Sequence, residues 1–258
     1  MAGKRGLIMG VANDHSIAWG IARAVAAQGA KLAFTYQSDS FARRVGPLAE
    51  SVNAAAIVQC DASDKKSLDQ AFNAISNTWE QIDFVVHAIA YSDKEELKGR
   101  YVNTTQDNFL QTMNISCYSF TAVAQRAAAI MGAQGSLLTL TYHGAQAVMP
   151  NYNVMGVAKA ALEASVRYLA VDLGSRGIRV NAISAGPMRT LAGSAISSAR
   201  TVYKWQGEHA PLMRNISLED VGGAALYLFS DLSNGVTGEI HYVDAGYNVI
   251  GMVNLSED

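Results

Sequence analysis

The chain predicts an α/β fold: one doubly wound, seven-stranded parallel sheet with helices on both faces. Three observations carry this expectation. Short apolar runs of β type alternate with longer helical patterns. Right-handed crossovers between successive parallel strands then wind the helices onto both faces. There is no repeat, low-complexity segment or composition break, so residues 1–258 read as a single domain.

The strand candidates are Gly6–Met9, Lys31–Tyr36, Ala55–Cys60, Phe84–Ala88, Ser136–Leu140, Arg179–Ser184 and Glu239–Val243. Between them lie helical patterns at Ser16–Gln28, Ser40–Ser51, Lys66–Glu80, Gln106–Met131, Tyr152–Gly174 and Leu218–Ser230. The stretch 188–211 is the longest insertion. It would overhang the carboxyl ends of the strands, where such sheets bind ligands, and reads either as a substrate lid or as a plain surface helix pair.

Composition narrows the function classes. The chain is half hydrophobic and 16% charged, with a formal net charge of −2, so no basic excess points to nucleic acid. Its two cysteines, Cys60 and Cys117, lie far apart and read as reduced, buried small side chains, which fits a cytoplasmic protein. The run from Gly6 to Gly10 is too short for a signal peptide, and no apolar stretch reaches the ~18 residues of a membrane span. His15, His87, His143, His209 and His241 show no metal-ligand spacing, and no metal is expected.

The first strand ends at Gly10, where a missing side chain lets backbone approach a ligand. Ser16 reads as the N-cap of the next helix, whose exposed N–H groups form an anion site, and Gly20 would let that helix pack tightly on the sheet. This is not the usual G-x-G-x-x-G pattern. After the second strand, Gln37 stands where a dinucleotide fold usually carries a ribose-binding acid. Arg43 and Arg44 lie one or two helical turns further on, so NADH is favoured over NADPH. Asp61, after the third strand, reads either as an adenine contact or as a helix cap.

Tyr152 and Lys159 are seven residues apart on one helical pattern, so they share a face about 10 Å apart along the axis. A nearby ammonium would favour tyrosinate, and the same lysine could hold ribose hydroxyls. Tyr142, at the end of the preceding strand, converges on the same strand end. The next strand ends in Gly186-Pro187, a turn that would bring backbone N–H groups and the Thr190 hydroxyl toward a pyrophosphate and carboxamide.

Three segments together resemble the short-chain dehydrogenase/reductase superfamily, and within it the enoyl-[acyl-carrier-protein] reductases of bacterial type II fatty-acid synthesis. They are Pro150-Asn151-Tyr152-Asn153-Val154-Met155-Gly156-Val157-Ala158-Lys159, Asn181-Ala182-Ile183-Ser184-Ala185-Gly186-Pro187, and Gly10 followed by Ser16-Ile17-Ala18 and Gly20. The resemblance runs from about Gly6 to Met252. It implies a Rossmann-like fold and reduction of trans-2-enoyl thioesters with NADH. It also implies an acyl carrier protein as substrate carrier, and a homotetramer.

By the same resemblance Tyr152 stabilises the enolate, Lys159 holds the cofactor ribose and Tyr142 is the second active-site tyrosine. Gly10, Ser16 and Ile17 meet the pyrophosphate, Gln37 the adenosine ribose, and Asp61 and Ala62 the adenine. Ile89 packs beside the nicotinamide, Met188, Arg189, Thr190, Leu191 and Ala192 close over the cofactor, and Ser92 is a substrate contact. Ala88 and Ala90 depart from the Ser-Ile-Gly-Phe-like run of well-known members. Thr139 has the spacing of the serine of ordinary carbonyl reductases, and Asn114 the place of their water-organising asparagine. Two rivals stand beside the enoyl reductase: a ketoacyl or small-carbonyl reductase, and a catalytically silent NAD-binding regulator. An acidic carrier would need cations at the rim, for which Arg189, Arg200, Lys204 and Arg214 are candidates alongside ordinary solvated charge.

Overall fold

Seven strands form: β1 Arg5–Met9, β2 Lys31–Tyr36, β3 Ala56–Gln59, β4 Ile82–His87, β5 Met131–Thr141, β6 Arg179–Ala185 and β7 Ile240–Val243. In the computed structural model, which describes residues 1–194 and 196–252, they make one parallel sheet in the order β3-β2-β1-β4-β5-β6-β7. The winding reverses between β1 and β4, which opens a crevice at their carboxyl ends. β6 is buried along its whole length, and its polar residues are held inside by partners: Asn181 donates to Val236 O and accepts from Glu239 N, both at 3.0 Å.

Helices cover both faces. On one side α1 (Ile17–Ala27), α2 (Asp39–Ser51) and α9 (Leu218–Phe229) bury Trp19, Ile21, Val45 and Phe229 against Ile8, Phe34 and Phe84. On the other, α3 (Lys65–Thr78), α5 (Ser119–Ile130) and α6 (Asn153–Gly174) bury Phe72, Phe120 and Leu162 against Leu7, Val85 and Leu137. Three further helices, α4 (Gln106–Met113), α7 (Leu191–Ser194) and α8 (Ala199–His209), lie toward the carboxyl end of the sheet.

Three expectations need correction. Gly20 packs against a helix, not the sheet: a Cβ there would sit 2.8 Å from Leu218 Cβ, so its bareness sets the α1–α9 crossing. The pattern at 106–131 is one unbroken helix over 106–130, but it is not α-helical throughout. It is α4, a π-turn at Asn114–Tyr118, and α5. Side-chain hydrogen bonds accompany the π-turn: Ser116 Oγ accepts from Tyr91 N and donates to Tyr91 O across the fold, both at 2.9 Å, and Ser119 Oγ donates locally to Ile115 O at 2.6 Å. Met131 already belongs to β5, pairing with Ile82 before a register shift leads to Phe84–Ser136.

Candidate active site

At the cofactor end, Gly10 has φ +100°, and an added Cβ would lie 2.0 Å from Ala88 O. Only glycine lets the β1 and β4 ends close together there. Ser16 stands at the N-cap position of α1, but its side chain makes no capping bond. Its Oγ instead accepts from Ala12 N at 3.0 Å and Asn13 N at 3.1 Å, folding the preceding loop back on itself. The first-turn N–H groups of Ile17 and Ala18 are thus left for an anion at a positive helix end, and this cradle fits a pyrophosphate.

The other end of a dinucleotide fits as well. Asp61 accepts from Ser63 N at 2.9 Å and Ser63 Oγ at 2.6 Å, and from the Gln37 side chain. Partial burial pushes the Asp61 carboxyl up, but these hydrogen bonds prevail and hold it below its ordinary value. Helix capping, the alternative role for Asp61, falls to Asp64, which accepts from Lys66 N at 3.0 Å. Beside Ala62 a hollow is lined by Ser63, Gln111, Asn114 and Ile115. Asn114 is therefore exposed in this hollow.

At the catalytic end, Asn151 (φ +56°) and Asn153 (φ +37°) bracket Tyr152 with left-handed backbone, which asparagine tolerates better than most residues. The bend drives the Tyr152 ring inward, where it is 8% exposed. Three successive residues of the β5 end then meet the helix. Lys159 Nζ donates to Leu140 O at 2.8 Å. Thr141 Oγ1 donates to Glu163 Oε1 at 2.8 Å. The Tyr142 ring lies 5.1 Å from that of Tyr152 at 75°.

Burial dominates the electrostatics. It pushes the Tyr152 phenol far above its ordinary value, with Tyr142 and Glu163 adding to the rise. Tyr142 is likewise raised by burial, then by Tyr247. Burial lowers Lys159 to about 8, against the opposing pull of Cys117 and Glu163. The expectation that Lys159 favours tyrosinate is thus not met: burial, Tyr142 and Glu163 all act to raise the Tyr152 phenol, which stays neutral and able to donate a hydrogen bond.

The remaining candidates line the approaches. Ile89 packs on the core beneath the crevice. The Ser92 hydroxyl accepts from Thr112 Oγ1 at 2.9 Å and from Asn108 Nδ2 at 3.2 Å. Met188 is half-buried on the opposite core, and Thr190 Oγ1 accepts from Gly193 N at 3.0 Å. The Arg189 guanidinium lies 4.7 Å over the Tyr203 ring, while Leu191 and Ala192 are exposed. Within the 188–211 stretch, Ile196 packs on the cluster of Leu97, Tyr152, Val154 and Met155, and Ser198 Oγ donates to Pro150 O at 2.7 Å. Arg214 is held by Asp220 at 2.6 Å and Lys204 pairs with Glu208 at 3.7 Å, whereas Arg200 is exposed with no ion pair among the described residues.

Some residues escaped the sequence reading. Asn153 Nδ2 reaches the carbonyls of Glu96, Leu97 and Gly99 at 3.1–3.3 Å and ties that loop to the Tyr152 turn. Fully buried His87 lies between Thr139 Oγ1 at 3.0 Å and Ser119 Oγ at 2.8 Å, and Thr139 Oγ1 also donates to His87 O. Thr139 is therefore a core partner of His87 and does not imitate a carbonyl reductase's serine. The Asn-Tyr-Asn triplet was the available signal for Asn153; an isolated histidine at a strand end gave none for His87.

Comparison with known proteins agrees with this geometry. The family model described as "Enoyl-(Acyl carrier protein) reductase" matches residues 10–248. A relative from Rhizobium meliloti, "Enoyl-[acyl-carrier-protein] reductase [NADH] 2", is 65% identical, covering 99% of this chain and 95% of its own. FabI of Rickettsia typhi is 56% identical over 99% of this chain and 98% of its own. Among solved structures, FabI of Candidatus Liberibacter asiaticus has a TM-score of 0.96 at 57% identity, covering 98% of each chain. The enoyl-(acyl-carrier-protein) reductase of Anaplasma phagocytophilum in complex with NAD has a TM-score of 0.94 at 58% identity, over 99% of this chain and 95% of the other. A seven-stranded Rossmann-like sheet, a cradle for a dinucleotide and a tyrosine pair beside a buried lysine are thus joined to these matches, and the chain belongs to the enoyl-[acyl-carrier-protein] reductase family.

Proposed function

We propose that the chain reduces the trans-2 double bond of fatty-acyl thioesters carried on acyl carrier protein, with NADH as reductant. The observation that carries this reading is the dry junction of Tyr142, Tyr152 and Lys159 where the β5 end meets α6. Reduced nicotinamide, when bound, supplies a hydride to Cβ of the conjugated thioester. Negative charge then grows on the thioester oxygen. The neutral Tyr152 phenol donates a hydrogen bond to that oxygen, and such a preorganised donor supplies about 3–4 kcal/mol. The enolate collapses as a proton reaches Cα.

Lys159 would hold the nicotinamide ribose hydroxyls with the N–H donors that Leu140 O does not take. Gly10, Ser16 and Ile17 would shape the pyrophosphate cradle, with Met188, Arg189, Thr190, Leu191 and Ala192 closing over the cofactor and Ile89 beneath it. Gln37, Asp61 and Ala62 would take the adenosine end. The ionised Asp61 beside Gln37 would repel a 2′-phosphate, which supports NADH over NADPH.

We assign residues 188–211 as the substrate lid, supported by the Ile196 and Ser198 contacts, and Ser92 as a substrate contact on its inner approach. Arg200 and Lys204, both exposed on α8, suit an acidic carrier. A homotetramer is supported by the exposed apolar side chains Leu110, Tyr118, Tyr168 and Val171 on the neighbouring α4–α5 and α6 surfaces. The buried free thiols of Cys60 and Cys117 fit the reducing cytoplasm, and no described helix is long and apolar enough to cross a membrane.

Crotonyl and acetoacetyl thioesters assayed side by side, each with NADH and NADPH, test the proposal. Preferential turnover of the crotonyl thioester with NADH is expected. Preference for the acetoacetyl thioester would make it a carbonyl reductase, and cofactor binding without any turnover a silent regulator.

A further inference from the structure

We infer that Glu163 is a positioning residue for the reaction, setting the charge around Lys159 and fixing α6 on β5 through Thr141. The inference rests on Lys159 holding the cofactor, as proposed above. Glu163 is 6% exposed and lies one helical turn after Lys159, on the same face of α6. An ionisable side chain is rarely buried this deeply without a specific partner. Its carboxyl accepts from Thr141 Oγ1 at 2.8 Å, across 22 residues of sequence. Thr141 stands between Leu140, whose carbonyl takes the Lys159 ammonium, and Tyr142, which packs on Tyr152. The Glu163–Thr141 bond is therefore the central rung of the β5–α6 junction.

Glu163 makes no ion pair with Lys159 among the described residues, so it acts on the ammonium through space. Its charge works in the direction that keeps Lys159 protonated. Other groups face the same pocket: Cys117 from the π-turn, His87 from β4, Tyr142 and Tyr152 above, and Tyr242 from β7. Burial holds His87 near 3, so it is neutral throughout the working range. Burial raises Cys117, Tyr142, Tyr152 and Tyr242. Lys159 is the member of this set that titrates near 8.

The test is the pH dependence of NADH affinity, followed by nicotinamide fluorescence between pH 6 and 9.5, which needs no thioester. Affinity is expected to fall as pH rises through the Lys159 transition. Glu163→Gln keeps the shape and a hydrogen-bond acceptor for Thr141 but removes the charge. Lys159 then loses its proton at lower pH. The alkaline limb is expected to move down by about one unit, giving roughly fivefold weaker binding at pH 8, approaching tenfold at pH 9.5, and little change at pH 6. Glu163→Asp keeps the charge, and its limb is expected within about 0.3 units of wild type.

A purely structural Glu163 would give Glu163→Gln uniformly weaker binding with an unmoved limb, and that result overturns the inference. A full-unit displacement in Glu163→Asp overturns it too, and decides the matter should Glu163→Gln fail to fold. Parallel wild-type assays separate the two levels. A wild type that binds NADH and reduces crotonyl thioester while the Glu163→Gln limb stays fixed defeats this inference alone. A wild type that does neither defeats the functional reading on which it rests.

Discussion

The Tyr142 ring stands edge-on to the Tyr152 ring, with centroids 5.1 Å apart, and so packs against the phenol proposed to meet the thioester. The two tyrosines should respond differently to removal of their hydroxyls. Tyr152→Phe is expected to lower kcat about 10²–10³-fold with NADH affinity unchanged, because a donor to the growing charge is lost. Tyr142→Phe keeps the ring contact and should lower kcat less than about tenfold. Lys159→Ala should weaken NADH binding itself. Stopped-flow turnover together with fluorescence titration separates the three outcomes.

The α1–α9 crossing depends on a missing side chain. A Cβ at Gly20 would lie 2.8 Å from Leu218 Cβ and 3.0 Å from Leu218 O, neither of which is a flexible chain end. Gly20→Val is expected to destabilise the fold by about 1–3 kcal/mol through overpacking. Because α1 also presents the proposed pyrophosphate cradle, NADH affinity should fall with it. Urea unfolding and a binding titration check both.

The start of α9 carries a pH-dependent element. Ser217 and Asp220 form a capping box, and Asp220 also holds Arg214 in a two-pronged pair at 2.6 and 3.0 Å. The Arg214 hydrogen bond is the main reason the Asp220 carboxyl falls from 3.8 to about 2. A depressed carboxyl stabilises the fold above the unfolded value, and this contribution fades as pH falls from 3.8 toward 2. The Arg214 side chain is 49% exposed, so screening limits the effect. Asp220→Ala should lose about 1 kcal/mol at pH 7, with the gap to wild type closing below pH 4 in denaturation curves.

How much of this was legible in the sequence depends on whether local pattern or distant contact decides each residue. β2 forms over Lys31–Tyr36 as predicted, because an apolar run bounded by polar residues has one way to sit in a parallel sheet. Tyr142, Tyr152 and Lys159 converge as their spacing and the Pro150 turn implied. The π-turn at Asn114–Tyr118 was hidden, since Ser116, which bonds to Tyr91 only once the chain has folded, looks like an ordinary helix residue. Glu163 was hidden for the same reason: within α6 it reads as a solvated helix charge, and only the fold brings Thr141 to it.

Carrier recognition should reside on α8. Arg200 is exposed and unpaired among the described residues, and Lys204 is 77% exposed with only a loose 3.7 Å partner. Arg200→Glu combined with Lys204→Glu is expected to raise KM for a carrier-linked enoyl substrate about tenfold while leaving KM for the coenzyme A thioester within about twofold. The carrier-dependent difference should shrink in high salt. Steady-state kinetics on the two substrates at low and high ionic strength measure it.

The most direct test follows the hydride. NADH deuterated at the transferable C4 position is allowed to reduce crotonyl thioester, and the product is read by NMR. Deuterium at Cβ with a solvent-derived hydrogen at Cα is the predicted pattern, lost in parallel with turnover in Tyr152→Phe. Deuterium on a carbinol carbon formed from the carbonyl, or no transfer at all, would contradict the account.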